Sequence, residues 1–193
     1  MPRDKQLDGL NVAILVSDLF EQAELAEPRR ALEEAGAKVA IVSNKGPIVH
    51  GMHHEKTGDG FRVDVDLARA KAADFDALVL PGGTLNADAL RMVESAQRFV
   101  QAFQAQTKPI AVICHGPWLL VSAGLVAGRT LTSWPSLQDD IRNAGGNWVD
   151  REVVVDANWI SSRKPQDLPA FNRELLAALA RSPGDVPAMP LAD

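Results

Sequence analysis

Short, wholly apolar runs, each followed by a polar turn and a longer amphipathic stretch, restrict the folds open to this chain more than any other feature. N-V-A-I-L-V (Asn11 to Val16), A-K-V-A-I-V-S, D-A-L-V-L-P-G-G and I-A-V-I-C are such runs. They lack the strict alternation of a half-wet strand, so they suit strands covered on both faces. That means a mostly parallel sheet between two layers of helices. The intervening segments supply the helices. Leu25, Ala31, Leu32 and Ala35 recur at helical spacing up to a stop at Gly36. Pro28 inside that stretch predicts a kink or a late start. Further helices are expected from about Asp88 to Gln106, over Pro117 to Ala123 with Gly124 as the stop, near Ser136 to Ala144, and from about Asp167 to Leu179. Short strands are expected near Arg129 to Thr132 and Glu152 to Asp156. Lys45 to Arg62 reads as an excursion of loop and short strand. The chain is expected to form one domain over 1–193, with its core at about 11–180 and a Pro-rich, flexible tail at 181–193.

Composition narrows the function classes. Of 193 residues, 46% are hydrophobic, enough for one well-buried core. The net charge of −5, with both signs interspersed, disfavours general nucleic-acid or anionic-membrane binding, which needs concentrated Lys and Arg. No apolar run approaches the roughly 20 residues of a membrane helix. M-P-R-D-K-Q-L-D has no apolar segment of a secretory signal. One cysteine excludes an internal disulfide and fits a reducing compartment. A cytoplasmic location is expected.

In such a sheet, ligands bind beyond the carboxyl ends of the strands. S-D-L-F-E-Q-A-E, P-G-G-T and C-H-G-P all fall there. The last contains Cys114, the single cysteine. A buried, inert thiol is the ordinary reading of a cysteine in an apolar strand. The strand-to-helix position and the His-Gly-Pro that follows favour a nucleophile elbow instead, in which a tight, often strained turn projects the side chain from the sheet edge. Gly116 lets the chain turn without a side-chain clash, and Pro117 suits the first helical turn. Free N–H groups at the helix start would stabilise a thiolate, so an acidic thiol is expected.

His115 is the candidate base, although neighbouring side chains in an elbow often diverge. Glu21 and Glu24 follow the first strand, and either could face Cys114. A carboxyl group buried against a thiol tends to hold its proton. Gly82 and Gly83 permit close backbone approach, and their N–H groups could bind an oxyanion. Trp118 could line the pocket mouth; otherwise it and the remaining tryptophans fill the core or an interface. His50, His53, His54 and Glu55 match no metal-ligand spacing, and no metal is expected. Neither G-x-G-x-x-G nor a P-loop occurs, so no cofactor is indicated.

Taken together, D-A-L-V-L-P-G-G, A-V-I-C-H-G-P-W-L-L-V-S-A-G-L-V-A-G-R, T-S-W-P-S-L-Q-D-D-I-R-N-A-G-G-N-W-V-D and E-V-V-V-D-A-N-W-I-S-S-R-K-P-Q-D-L-P-A-F resemble the PfpI family of intracellular protease-like and general stress proteins. That family lies within the class I glutamine amidotransferase-like superfamily. The resemblance runs from about Asn11 to Leu179. It implies a flavodoxin-like three-layer sandwich and a homo-oligomer, a dimer or larger. It implies that Cys114 is the nucleophile and His115 its neighbouring histidine, and F-E-Q-A-E-L selects Glu24 as the paired glutamate, with Glu21 near the pocket. In protease-like members a carboxylate of a neighbouring subunit, shortly after P-G-G, orients the histidine; here that is Asp88. Some members carry glutamate one position earlier, where this chain has Ala87, and the chain departs from the protease pattern there.

The function expected is stress-protective, cysteine-dependent hydrolysis of glyoxal adducts, of deglycase or glyoxalase type. The substrate would be a small carbonyl compound, a glycated protein or a peptide. The alternatives are an intracellular cysteine peptidase, or a non-enzymatic oxidative-stress sensor or chaperone working through oxidation of Cys114. An amidotransferase is disfavoured because no histidine follows His115.

Overall fold

A computed structural model describes residues 6–180. The expected tail at 181–193 lies outside the described residues.

The four apolar runs form β1 (Asn11–Val16), β3 (Lys38–Ser43), β7 (Ala77–Leu80) and β8 (Ile110–Ile113). β2 (Phe20–Glu21), β4 (Ile48–His53), β5 (Lys56–Arg62) and β6 (Val65–Asp66) lie among them. β9 (Thr130–Leu131), β10 (Asn147–Trp148), β11 (Val153–Asp156) and β12 (Trp159–Ser162) follow. The central sheet has the order β11-β12-β8-β7-β1-β3-β6. All its pairings are parallel except β11 with β12.

The helices are α1 (Gln22–Glu34), α2 (Thr84–Arg91), α3 (Glu94–Ala105), α4 (Pro117–Ser122), α5 (Gln138–Asn143) and α6 (Leu168–Ala180). Because successive strand side chains face opposite ways, each apolar strand feeds two cores. Leu78, Leu80, Ile110 and Val112 pack with Phe99 and Phe103 of α3 and Leu119 and Leu120 of α4. Ala77, Val79, Ala111 and Ile113 pack with Leu25 and Leu32 of α1 and Phe171 and Leu175 of α6. Burying each large side chain contributes about 1.5–3 kcal/mol, which is why these strands need apolar residues at every position. The result is the α/β three-layer sandwich expected.

Several details differ from the sequence-based expectations. The helix expected over Asp88 to Gln106 is two helices. Val93 is extended between them (φ −94°, ψ 109°), and Gln97 Nε2 donates to the Arg91 carbonyl at 2.7 Å, satisfying the end of α2. α1 starts at Gln22, well ahead of Pro28, which is buried inside it; the proline removes the N–H that would reach the Glu24 carbonyl. The Lys45 to Arg62 excursion is a β4–β5 antiparallel hairpin, joined through β4 to β2. Gln22 and Asp59 exchange two 2.7 Å hydrogen bonds that tie this hairpin to the start of α1. β12 is a fully buried central strand where no strand was expected. Its two serines are satisfied there: Ser161 Oγ accepts from Thr132 N at 3.0 Å, and Ser162 Oγ donates to the Glu152 carbonyl at 2.5 Å. Among the described residues, no helix is long and apolar enough to cross a membrane.

Candidate active site

The carboxyl ends of β1, β7, β8 and β12 converge on a cavity of about 470 Å³ whose lining includes Glu21, Glu24, Gly83, Cys114 and His115. Cys114 lies directly after β8 with φ 61°, the left-handed region that non-glycine residues rarely adopt. Its turn is locked by hydrogen bonds from Cys114 N to the Ser162 carbonyl (3.1 Å) and from Trp134 N to the Cys114 carbonyl (2.9 Å). Such strain persists only where surrounding structure holds it, and at this strand-to-helix position it gives the turn the geometry of the elbow expected. Gly116 is needed for a different reason from the one its position suggested. Its backbone is helical (φ −49°), but a Cβ there would come 2.7 Å from the Leu80 carbonyl oxygen. Close approach of two strand ends, not turning freedom, demands glycine at 116.

The side chains of Cys114 and His115 converge. Sγ lies 3.2 Å from His115 Nδ1, and the other ring nitrogen, Nε2, is 3.4 Å from Thr84 Oγ1. The imidazole stacks on Trp134 (5.8 Å, 24°) and meets the edge of Trp118 (5.3 Å, 64°). Burial lowers its pKa, so it is neutral and able to accept a proton at neutral pH.

Glu24 is fully buried. One of its oxygens takes the Gly82 N–H at 2.7 Å; the other has no hydrogen-bond partner, and the carboxyl lies beside the Cys114 side chain. Burial raises its pKa to about 8 against the pull of the Gly82 N–H, and the nearby Glu21 charge adds to the rise. Glu24 is therefore a protonated acid at neutral pH.

The thiol departs from the acidic value expected of the elbow. Burial, and Glu24 when ionised, push the Cys114 thiol up, while the N–H groups of Gly83 and His115 pull it down. The physical reason is desolvation: Cys114 lines the cavity but the residue is only 6% exposed. While Glu24 keeps its proton the repulsion is absent, and the imidazole at 3.2 Å is the group placed to take the thiol proton.

The other sequence candidates divide. Gly83 lines the cavity; Gly82 lies beneath it, where an added Cβ would come 2.6 Å from Cys114 Cβ and 2.7 Å from Glu24 Oε2. Glu21 is on the wall, and Oε2 accepts the His54 N–H at 3.3 Å. Trp118 does not line the pocket mouth. It packs behind His115, held by Nε1 donating to Asp140 at 2.8 Å and by Arg91 over its ring at 5.2 Å. Asp88 is exposed on α2 and makes no contact with His115 of the same chain, whose outer nitrogen meets Thr84 instead. Of the histidine-rich hairpin, only His54 joins the cavity, together with Met52. Among the described residues, no group of three or more His, Cys, Asp or Glu side chains is placed to hold a metal.

Three contributors were not singled out from the sequence. Trp134 takes the wall position considered for Trp118. Lys164 enters from the loop after β12. Asn86, fully buried, accepts the Ser17 N–H at 2.6 Å and donates to the Pro81 and Gly82 carbonyls at 3.1 and 2.9 Å, pinning the P-G-G turn to the end of β1. An asparagine two residues into a helix that opens on Gly-Gly-Thr was the available signal for that last role.

A doubly wound sheet with a strained cysteine at a strand-to-helix turn, in contact with the next histidine and beside a buried glutamic acid, defines a class of α/β proteins that present one cysteine at the sheet edge. Comparison with known proteins agrees: the DJ-1/PfpI family model matches residues 10–178, and the chain belongs to that family. A Pyrococcus abyssi protein named deglycase is 45% identical over 172 residues, spanning 88% of this chain and 99% of that relative. General stress protein 18 of Bacillus subtilis is 40% identical over 176 residues, spanning 90% and 99%. The crystal structure of Drosophila melanogaster DJ-1beta superposes with a TM-score of 0.81 at 29% identity, covering 89% of this chain and 90% of that one.

Proposed function

We propose that this protein is a cysteine-dependent hydrolase that removes glyoxal-type adducts from amines and thiols. The observation that carries this reading is the contact of Cys114 Sγ with a neutral imidazole at 3.2 Å, beside a carboxyl group that keeps its proton at neutral pH. The deglycase name of the Pyrococcus abyssi relative supports it.

The chemistry follows from these three groups. As Sγ bonds to the adduct carbon that carries the hydroxyl, the thiol proton passes to His115 Nδ1 and then to the departing amine or thiol. The enzyme now holds a hemithioacetal with a neighbouring carbonyl. Shifting the proton from the first carbon to the second converts it to a 2-hydroxy thioester. That shift needs a base for one carbon and an acid for the neighbouring oxygen, and His115 and Glu24 are the proton carriers at hand. The N–H groups of Gly83 and His115 that face the sulfur are donors for the oxygen that gains charge. Water then cleaves the thioester to a 2-hydroxy acid and free thiol.

The test is turnover of a methylglyoxal adduct of an amino acid by wild type and Cys114→Ala, read as released amine and lactate. Cys114→Ala is expected to lose release to background with its fold intact. Equal release by both proteins rejects the reading.

A further inference from the structure

The cavity holds a cation that this chemistry leaves unused. Lys164 follows β12, the sheet neighbour of β8, and its half-buried side chain lines the cavity together with Cys114 and Gln166. Two cations stand side by side in this loop, and their surroundings differ. Arg163 is neutralised: Nε and Nη2 donate to the two oxygens of Asp167 at 2.8 and 3.2 Å, and Nη1 donates to Asp150 at 2.6 Å. Lys164 has extended backbone (φ −164°, ψ 167°), in which successive side chains point to opposite sides. It is thereby turned from that acidic pair and into the cavity. Among the described residues, no carboxylate lies within ion-pair distance of its ammonium group.

Of the other ionisable groups that line the cavity, Glu21 alone carries a charge opposite to that of Lys164, and the two are not within ion-pair distance. Glu24 is protonated at neutral pH and His115 is neutral. Glu21, in β2, accepts the His54 N–H at 3.3 Å. In the order β12-β8-β7, Lys164 follows the strand next to that of Cys114, and Glu21 lies on the other side, its backbone N–H reaching the Gly82 carbonyl after β7 at 3.4 Å. Neighbouring strands are about 4.8 Å apart. A carboxylate a few bonds from the carbon that meets Sγ is thus within reach of the long lysine side chain. Leu85 and Trp134 give the same cavity an apolar wall for the remainder of the molecule.

We infer that Lys164 is a specificity residue that binds a carboxylate of the substrate, so that the preferred substrates are carbonyl adducts of small amino or thiol acids. This rests on the reading of Cys114 as the group that attacks such adducts.

Two measurements test it. The first compares the methylglyoxal hemithioacetals of N-acetylcysteine and N-acetylcysteamine, which differ only in the carboxylate. Wild type is expected to favour the acid, and Lys164→Gln to lose about fivefold of that preference, mainly through KM, with Lys164→Arg retaining part of it. The second needs no turnover: alkylation of Cys114 by anionic iodoacetate and by neutral iodoacetamide. The iodoacetate-to-iodoacetamide rate ratio is expected to fall about fivefold in Lys164→Gln and to fall in wild type at high salt. Unchanged ratios in both measurements overturn the inference. An equal loss with both alkylating reagents also overturns it, by assigning Lys164 to the thiolate. If neither hemithioacetal is turned over while the alkylation ratio shifts, the hydrolase reading fails and carboxylate binding at Lys164 stands.

Discussion

Replacing Glu24 by glutamine should change how the stability of this protein depends on pH, and the structure sets the size of the effect. In the unfolded chain Glu24 titrates at its ordinary value of 4.5; burial raises it to about 8 in the folded protein. Between those values the unfolded state has lost a proton that the native state keeps. Native Glu24 therefore makes stability fall as pH rises, with the full loss reached above the folded value. At about 1.4 kcal/mol per pH unit, the difference between 4.5 and 8 is worth on the order of 5 kcal/mol, a large share of a domain's total stability. Glutamine has nearly the same shape, can accept the Gly82 N–H and donate toward sulfur, and does not ionise. His115 acts in the opposite sense. With its folded value lowered below 6.5, it makes stability rise as pH climbs through that range, and both proteins share this contribution. The measurement is urea unfolding of wild type and Glu24→Gln from pH 5.5 to 7.5. The stability of Glu24→Gln relative to wild type should grow by roughly 1.4 kcal/mol per pH unit. A pH-independent difference would refute the assignment of a protonated Glu24. The same substitution removes a proton carrier, so turnover should fall while the protein becomes more stable near neutral pH.

Gly82→Ala places a methyl 2.6 Å from Cys114 Cβ and 2.7 Å from Glu24 Oε2, where neither can withdraw easily. It should cost about 1–3 kcal/mol in denaturant unfolding and abolish the selective alkylation of Cys114. Asn86→Ala leaves the buried Ser17 N–H and the Pro81 and Gly82 carbonyls without their partner. A loss of about 1–3 kcal/mol is expected, with a fall in kcat as Gly83 shifts from the sulfur; unchanged kcat would show that the turn holds without it.

The four buried strands were legible because burial on both faces demands unbroken apolar runs, which few other structures need. β12 was not legible: W-I-S-S carries two hydroxyls at core positions, and only Thr132 N and the Glu152 carbonyl, distant in sequence, make them acceptable there. The break at Met92 and Val93 was hidden for a related reason, since its stabilising bond from Gln97 to the Arg91 carbonyl exists only once both helices are placed. Cys114 was legible through its local pattern, whereas local pattern left Glu21 and Glu24 open and the family resemblance selected Glu24. Lys164 was not, because R-K gives no sign of which cation the two aspartates will neutralise.

By itself the sequence determined the layered sheet, the elbow at Cys114 and the residues supplied to each strand end, because these depend on short-range patterning and turn chemistry. Tertiary structure decided which of those residues meet. It brought His115 Nδ1 to 3.2 Å from sulfur, put Trp134 rather than Trp118 on the cavity wall, and left Asp88 exposed. It also set the protonation states. The pKa of a carboxyl or thiol follows the water removed around it, and that water is displaced by side chains from β1, β7, β8 and α1 together, a quantity no local stretch of sequence contains.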